Sequence, residues 1–268
     1  SLDGIMVPMK DAPRIPGLGR RDQGPKGHKE ASCATVALHG LDGERLRTVR
    51  FGRMPEAHKS TLHMQLKDEL AHLRNQYPDA EVIAVADGAH ENWRIVREIA
   101  KDLDCKITER LDYFHAAQHL IDGLKAGHAN DDEIQGWQTR LKEQDGVIEP
   151  LIEELSLRAM ELRTPAVEQC LNYFLRNSGR VDYAEAARSR QPIGSGVQEA
   201  ACKTLVAQRM KRSGMSWRTP GGQAILNLRG LAQSGRLDQA WNVLRPKLHT
   251  SFDVDSSQRR KLPEMQAA

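Results

Sequence analysis

A run of five apolar residues, Val82 to Ala86, constrains the fold of this chain more than any other feature. A charged residue precedes the run, and the turn-forming pair Asp87 and Gly88 follows it. A short continuous apolar run is typical of a strand whose two faces are both covered, as in parallel and mixed sheets. The sequence therefore predicts a central, buried strand at this position.

Strand-like segments precede this run, and helices alternate with strands around it. Residues 1–9, 34–38 and 46–51 have strand composition, and residues 39–43 have the composition of a hairpin turn. Apolar residues at steps of three and four predict helices over 61–77 and 91–103, before a strand over 105–111. The order predicts an α/β fold with a mixed sheet, three antiparallel strands followed by parallel ones, which matches the ribonuclease H-like arrangement.

The rest of the chain is predicted to be mainly helical. Helices are predicted over 116–124, 133–143, 147–162 and 166–176, and a final helical stretch over 223–244. We therefore divide the chain into residues 1–113, the first part of the sheet-containing core; 114–190, an all-helical insertion; 191–249, helices that complete the core; and 250–268, a polar tail expected to be disordered. Glycines and prolines crowded between residues 13 and 27 predict a loop.

The composition argues against several classes of protein. With 268 residues, of which 39% are hydrophobic, the chain is long enough to bury a sizeable core. Its four cysteines are widely spaced with no C-x-x-C pair, which argues against a zinc ribbon or a disulfide framework and fits a reducing compartment. No signal peptide opens the chain, and the longest apolar run is far short of the roughly 20 residues that span a bilayer. We expect a cytoplasmic protein that does not interact with membranes.

Two aspartates stand on predicted strands, and each is followed by a glycine. Asp87 directly follows the central strand, and Asp3 lies on the predicted first strand. Functional groups gather at the carboxyl ends of strands in such sheets, and Gly88 would let a metal or a substrate approach closely. For either Asp-Gly pair taken alone, a simple turn is the alternative interpretation.

A third acid, Glu199, follows a glycine-flanked turn at residues 194–196. Ser195 and Gln198 have the spacing of a capping box, which would place Glu199 in the first helical turn. An exposed pair with Lys203, worth a few tenths of a kcal/mol, is the alternative. Three carboxylates gathered from far apart are typical of sites that hold magnesium over a phosphodiester, because Mg²⁺ prefers oxygen ligands and two ions can support an in-line displacement.

Basic residues surround Glu199, although the net charge of +3 is too small to indicate nucleic acid by itself. A polyanionic substrate needs its charge offset around a metal site, so we predict that these residues contact DNA. They are Lys203, Arg209, Lys211 and Arg212. Trp217 could stack on an exposed base, whereas core packing is the favoured interpretation of that residue.

Four segments together resemble bacterial insertion-sequence transposases of the DDE type, the Kra-type group related to Mutator-like elements. They are Asp3-Gly4, VIAVADGAHENW around Asp87, LDYFHAAQHL around Asp112, and PIGSGVQEAACKTLVAQRMKRSGMSW around Glu199. The resemblance covers roughly residues 1 to 245. It implies that Asp3, Asp87 and Glu199 form the catalytic, metal-binding triad, and that Asp112 and His115 form a supporting D-x-x-H motif.

The resemblance also implies a reaction and its partners. Two Mg²⁺ ions, for which Mn²⁺ can substitute, would support hydrolysis at transposon ends, and the freed 3′-hydroxyl would then be joined to target DNA. Transposases of this class act as homo-oligomers on paired DNA ends, in the bacterial cytoplasm and at the nucleoid. The helical stretch between Asp87 and Glu199 resembles the insertion domain of such enzymes.

Other interpretations stay open at the sequence level. A structure-selective nuclease of the same fold would release its products without joining them to a target. Because the chain begins two residues before Asp3, we expect the first strand to lack anchoring residues, and a truncated, non-catalytic DNA-binding remnant is a further alternative. His115 and His119, four residues apart, could bind a metal as a pair, although hydrogen bonding of His115 near Asp112 is favoured.

Overall fold

A five-stranded mixed sheet lies at the centre of the fold. The computed structural model describes residues 1–10 and 27–251, without the side chains of residues 248–251. The strands are β1 (Leu2–Pro8), β2 (His28–His39), β3 (Arg45–Arg53), β4 (Val82–Ala86) and β5 (Ile107–Leu111), in the order β3-β2-β1-β4-β5. Strands β1 to β3 pair antiparallel, whereas β4 is parallel to both β1 and β5. The predicted α/β class, with three antiparallel strands followed by parallel ones, is confirmed.

Helices account for most of the remaining chain. They are α1 (Ser60–Gln76), α2 (His90–Asp102), α3 (Tyr113–Ala126), α4 (Asp131–Glu143), α5 (Ile148–Leu162), α6 (Pro165–Asn177), α7 (Tyr183–Arg188), α8 (Gly196–Ala201), α9 (Gln208–Met210), α10 (Thr219–Gln233) and α11 (Leu237–Ser251). A π-helical segment, Cys202–Ala207, joins α8 to α9. The predicted helices up to residue 176 are confirmed to within three residues at each end.

Two predictions about element boundaries are wrong. Strand β2 begins at His28 rather than at residue 34, because its first half pairs with the whole of β1. The single final helix predicted over 223–244 is two helices, α10 and α11. The chain breaks between them at Gly235, whose φ of +65° is a left-handed conformation that glycine adopts without strain.

Each face of the sheet carries its own hydrophobic cluster, because successive residues of a strand point to opposite faces. Ala34 and Leu2 belong to the larger cluster, which extends through helices α1 to α7. Cys33 and Val7 belong to the smaller cluster, which includes Leu205 of the π-helical segment and residues of α8 to α10. Both faces of the sheet are therefore covered around β1 and β2, whereas the first three residues of β4, predicted to be buried, are only partly buried.

Five helices, α3 to α7, lie between β5 and α8, and the fully described segment 113–188 contains no strand. The end of this helical segment is attached to β5 by Arg110, whose side chain is 2% exposed. Its guanidinium donates two hydrogen bonds of 2.7 Å to Asp182, and one each to the Gln191 side chain and the Pro192 carbonyl. The chain therefore returns to the sheet immediately beside the carboxyl end of β5.

The first strand is anchored in the sheet from its first residue. Strand β1 is paired with β2 along its full length, and the Thr35 N–H donates to the Ser1 carbonyl, so the expected lack of anchoring is not observed. The predicted loop at 13–27 and the predicted tail at 250–268 lie almost entirely outside the described residues. In the part of the chain that the structure describes, no helix is long and apolar enough to cross a bilayer.

Candidate functional site

The register of the sheet brings two of the predicted acids together. Leu2 of β1 is the parallel partner of Ala86, the last residue of β4. Asp3 and Asp87 are the next residues along these two strands, and neighbouring strands lie about 4.8 Å apart. The two residues, both partly exposed, therefore stand on neighbouring strands at the carboxyl end of β4.

Asp87 is held through one of its two carboxylate oxygens. Its Oδ1 accepts hydrogen bonds from the Ala89 backbone N–H (3.0 Å) and from the side-chain amide of Asn92 (3.1 Å). Tyr173 donates its hydroxyl to the Asp87 carbonyl at 3.1 Å. The residue after Asp87 must be glycine, because the φ of Gly88 is +96° and a Cβ there would lie 3.1 Å from the Tyr173 ring. Within the described part of the chain, Asp87 Oδ2 has no hydrogen-bond partner.

Lys59, a buried lysine, binds the side chain of Asn92. Asn92 is 2% exposed, and its side-chain oxygen accepts a hydrogen bond of 3.2 Å from Lys59 Nζ. The same ammonium lies 3.1 Å from Glu30 and 3.6 Å from Glu91. His58 and Lys59 both have left-handed backbones, with φ of 54° and 49°. The lysine thereby fixes which end of the Asn92 amide faces Asp87, and neither residue has a role that the sequence pattern predicts.

Asp3 is contacted by the helix that carries Glu199. The Cys202 thiol donates to Asp3 Oδ2 at 3.5 Å, and the Gly4 N–H donates to Oδ1 at 2.6 Å. Hydrogen bonding to Cys33, burial and the charge of Asp3 raise the pKa of the Cys202 thiol, so it stays protonated and able to donate. Gln198 donates to the Cys33 carbonyl at 2.8 Å. The helix therefore lies across β1 and β2 at the position of Asp3.

Glu199 lies in the first turn of α8, as predicted, and its side chain is exposed. It forms no side-chain hydrogen bond and no ion pair with any residue that the structure describes, so the alternative pairing with Lys203 is not observed. Residues three apart are neighbours on a helix surface, and three residues after Glu199 comes Cys202, which contacts Asp3. Glu199 thus lies one helical turn from the residue that contacts Asp3, and its own side chain is exposed and contacts neither aspartate in the described part of the chain.

Asp112 ties the turn before α8 to the start of α3. Its carboxylate is 1% exposed, and it accepts from the Phe114 N–H (2.8 Å), the Ser195 N–H (3.0 Å) and the Ser195 hydroxyl. The predicted capping box is therefore wrong: the Ser195 hydroxyl satisfies a buried carboxylate instead of capping α8, and Gln198 points to the sheet. His115 Nδ1 lies 3.4 Å from Asp112 Oδ2, as the supporting motif implied.

The pKa values of His115 and Asp112 are shifted by the groups around them. The hydrogen bond to Asp112 raises the pKa of His115 against the effect of burial, and the charges of Asp112, Asp87 and Asp3 raise it further. Burial alone would raise the pKa of Asp112, but hydrogen bonds from His115, Phe114 and Ser195 outweigh it and lower that pKa. His115 and the three aspartates therefore share one electrostatic environment.

The histidine pair is arranged differently from a metal-binding pair. His115 faces Asp112, whereas the His119 ring stacks on Tyr173 with centroids 3.9 Å apart. Burial and the nearby His115 lower the pKa of His119. Over residues 1–10 and 27–251, no group of three histidine, cysteine, aspartate or glutamate side chains is gathered closely enough to hold a metal ion, so the structure does not bring Asp3, Asp87 and Glu199 together as a three-ligand set.

The predicted DNA-binding residues follow Glu199 along the same helix and the loop after it. Lys203, Lys211 and Arg212 are exposed. Arg209 lies over the ring of Trp217, 5.0 Å from its centroid. The Trp217 indole donates to the Met210 carbonyl at 3.1 Å and packs against the smaller hydrophobic cluster. Trp217 therefore packs in the core, which was the favoured interpretation of this residue. Stacking of a DNA base on Trp217 stays a prediction.

Comparison with known proteins adds no assignment. The chain matches no model of a protein family, and neither curated proteins nor solved structures include one found to be similar to it. The function of this site therefore has to be inferred from its residues and their arrangement.

Proposed function

We propose that this chain is the ribonuclease H-like catalytic domain of a DDE transposase, which cuts phosphodiester bonds at transposon ends and joins them to target DNA. The observation that carries the proposal is the strand register that sets Asp3 beside Asp87. The sheet order and the helix carrying Glu199, which crosses β1 at Asp3, support it further. In this proposal Asp3, Asp87 and Glu199 are the catalytic residues.

The donor atoms of these three residues suit magnesium, with manganese as a substitute. Carboxylate oxygens are the ligands that Mg²⁺ prefers, and the ion keeps several waters, so few protein ligands are needed. Asp87 Oδ2 and the Glu199 carboxylate have no partner in the described part of the chain, and Asp3 Oδ2 has only a thiol at 3.5 Å. Two such ions, when bound, would supply activation of the attacking oxygen and stabilisation of the leaving oxygen.

The surrounding residues would orient the acids and offset the charge of the substrate. Asn92 fixes the rotation of the Asp87 carboxylate by binding Oδ1, which leaves Oδ2 directed away from α2. His115, whose raised pKa favours the cation, would hold a proton near the phosphate. Lys203, Lys211 and Arg212 would bind the DNA backbone, with an affinity that falls steeply with salt.

A cleavage assay on DNA from the flanks of the gene tests the proposal. With Mg²⁺ or Mn²⁺ the protein should cut at the element ends and transfer the 3′ ends to a second duplex. We expect Asp87→Ala to lower the cleavage rate by more than about 100-fold. The loss of a residue that only supports a metal ligand costs roughly 10–100-fold, and the loss of a ligand itself should cost more. Asp79→Ala, in the exposed turn before β4, is the matched control and should cut normally.

The products separate the proposal from its alternatives. Cutting without joining to a second duplex would identify a structure-selective nuclease instead. DNA binding that depends steeply on salt, with no effect of divalent ions and no cutting, would identify a non-catalytic DNA-binding protein. Undiminished cutting by Asp87→Ala would overturn the assignment of the triad. The proposed homo-oligomer on paired ends is checked by the mass of the complex with DNA in solution.

A further inference from the structure

The aromatic ring of Phe114 is exposed in the candidate site, where packing does not account for it. Phe114 is the second residue of α3, and 60% of it is exposed. Its backbone N–H donates to Asp112, and the N–H of Asp112 donates at 2.8 Å to the carbonyl of Ala86, the residue before Asp87. An exposed apolar ring therefore lies near the carboxyl ends of β4 and β5, where Asp87 also stands.

The ring is held in place by neighbours on two sides. Its edge contacts Tyr113 at a centroid distance of 5.6 Å, and Tyr113 in turn contacts the buried Tyr183 at 5.3 Å. A Cβ on Gly194 would lie 2.7 Å from Phe114 Cε2, so the ring rests directly on the backbone of the turn before α8. A side chain that is already ordered loses little conformational entropy when a ligand binds it.

From this geometry we infer that Phe114 is a stacking platform for a nucleobase next to the bond that is cut. The inference rests on the proposed function and specifies how that site holds its DNA. Stacking needs only an accessible π face, which every base can cover. Trp217, the aromatic residue that the sequence suggested for this role, packs into the smaller cluster and lies under Arg209.

A nucleobase fits this position better than an apolar partner surface does. Protein docking sites are contiguous apolar patches, whereas Phe114 adjoins a polar cluster: its N–H donates to Asp112, which also contacts His115 and Ser195. A nucleotide has a base whose apolar face can cover the ring. It also has a phosphate that can bind the cations of the acidic site. The ligand is thus a base that leaves the duplex stack and lies on Phe114.

Fluorescence of 2-aminopurine tests the inference. The probe is a duplex with a short single-stranded arm that carries 2-aminopurine at each position in turn, bound in Ca²⁺, which takes the same oxygen ligands as Mg²⁺. We expect the fluorescence to be quenched at one position with the natural protein and with Phe114→Trp. Phe114→Leu keeps an apolar side chain without a π face, and it should lose the quenching.

Affinity provides the second measurement. Phe114→Ala and Phe114→Leu should bind the probe about 5- to 100-fold more weakly, and this loss should vanish when the stacked position is abasic. Thermal unfolding of each variant checks that the fold is intact. Quenching or affinity that is the same for Phe114→Leu and the natural protein would overturn the inference.

The two proposals can fail separately. If cutting depends on Asp87 but Phe114→Leu binds, quenches and cuts like the natural protein, only the stacking role is wrong. If quenching follows the aromatic residue at position 114 and no metal-dependent cutting is detected, the transposase proposal fails and the base-binding site stands.

Discussion

Among single residues, the pair of Asp112 and His115 makes the stability of the protein depend on pH. The pKa of His115 is raised in the fold, so its stabilising effect is complete below its usual value of 6.5 and is lost as pH rises through the raised value. The pKa of Asp112 is lowered, so its effect is complete above 3.8 and is lost as pH falls through the lowered value. The pair stabilises the fold fully between these two values.

His115→Gln should therefore be most destabilising, relative to the natural protein, between pH 3.8 and 6.5. The difference should shrink as pH rises above that window, and urea unfolding at a series of pH values measures it. His119→Gln is the control with the opposite sign: the pKa of His119 is lowered, so the contribution of this histidine to stability grows as pH rises. A difference for His115→Gln that does not vary with pH would contradict the ion pair.

Asn92 provides a second prediction for a single residue. Asn92→Ala removes the acceptor for the Lys59 ammonium, in a buried environment, and the donor to Asp87, in a partly buried one. We expect a loss of about 1–3 kcal/mol in the free energy of unfolding, measured in urea. Glu91→Gln changes a half-exposed partner of the same lysine and should cost less than about 1 kcal/mol. Equal losses for the two variants would show that Asn92 does not hold this network together.

The sequence indicated the exposed acids of the site but not the residues that hold them. Asp87 could be placed because an apolar strand and a glycine mark its position. Lys59 and Asn92 could not, because the two are 33 residues apart and meet only through a left-handed backbone at residues 58 and 59. The position of the Phe114 ring could not be predicted either, because the ring lies against Gly194, which is distant along the chain.

Among the elements, an ion pair between Arg110 and Asp182 contributes to the attachment of the helical segment to β5. Arg110 is 2% exposed, whereas Asp182, just before α7, is 36% exposed. Asp182→Asn leaves the buried guanidinium without its countercharge, and we expect a loss of about 1.5–3 kcal/mol in the free energy of unfolding, the range for a hydrogen bond to a charged group. Asp145→Asn is the matched control, because it breaks an exposed pair with Arg188 and should cost about 0–1 kcal/mol. Similar urea midpoints for the two variants would contradict this role of Arg110.

Periodicity predicted whole helices better than it predicted their ends. The apolar spacing of α1 to α6 sufficed because each helix buries one stripe in the larger cluster. The apolar spacing continues across Gly235 and therefore predicted one helix where there are two, although the pair Ser234 and Gly235 is a typical sign of a helix end. The capping box failed because Asp112, 83 residues away from Ser195, competes for the same hydroxyl, and that contact exists only in the folded chain.

In the whole molecule, the site joins parts of the chain that the sheet and one docked helix bring together. The sheet order followed from the succession of elements, and with it the pairing of β1 and β4 that sets Asp3 beside Asp87. The position of Glu199 did not follow, because it depends on Gln198 binding the carbonyl of Cys33 and on Cys202 reaching Asp3. Such contacts have no counterpart in local sequence pattern.

Binding of Mg²⁺ to the proposed site should stabilise the whole molecule, because a ligand that binds only the folded state adds about 2.7 kcal/mol at 100 times its Kd. Melting with Mg²⁺ and with EDTA measures this gain. Glu199→Gln should change stability in EDTA by less than about 0.5 kcal/mol, since the side chain is exposed, but it should lose much of the gain from Mg²⁺. Glu149→Gln, an exposed acid in the first turn of α5, should keep the full gain. A gain in Glu199→Gln equal to that of the natural protein would remove Glu199 from the metal site.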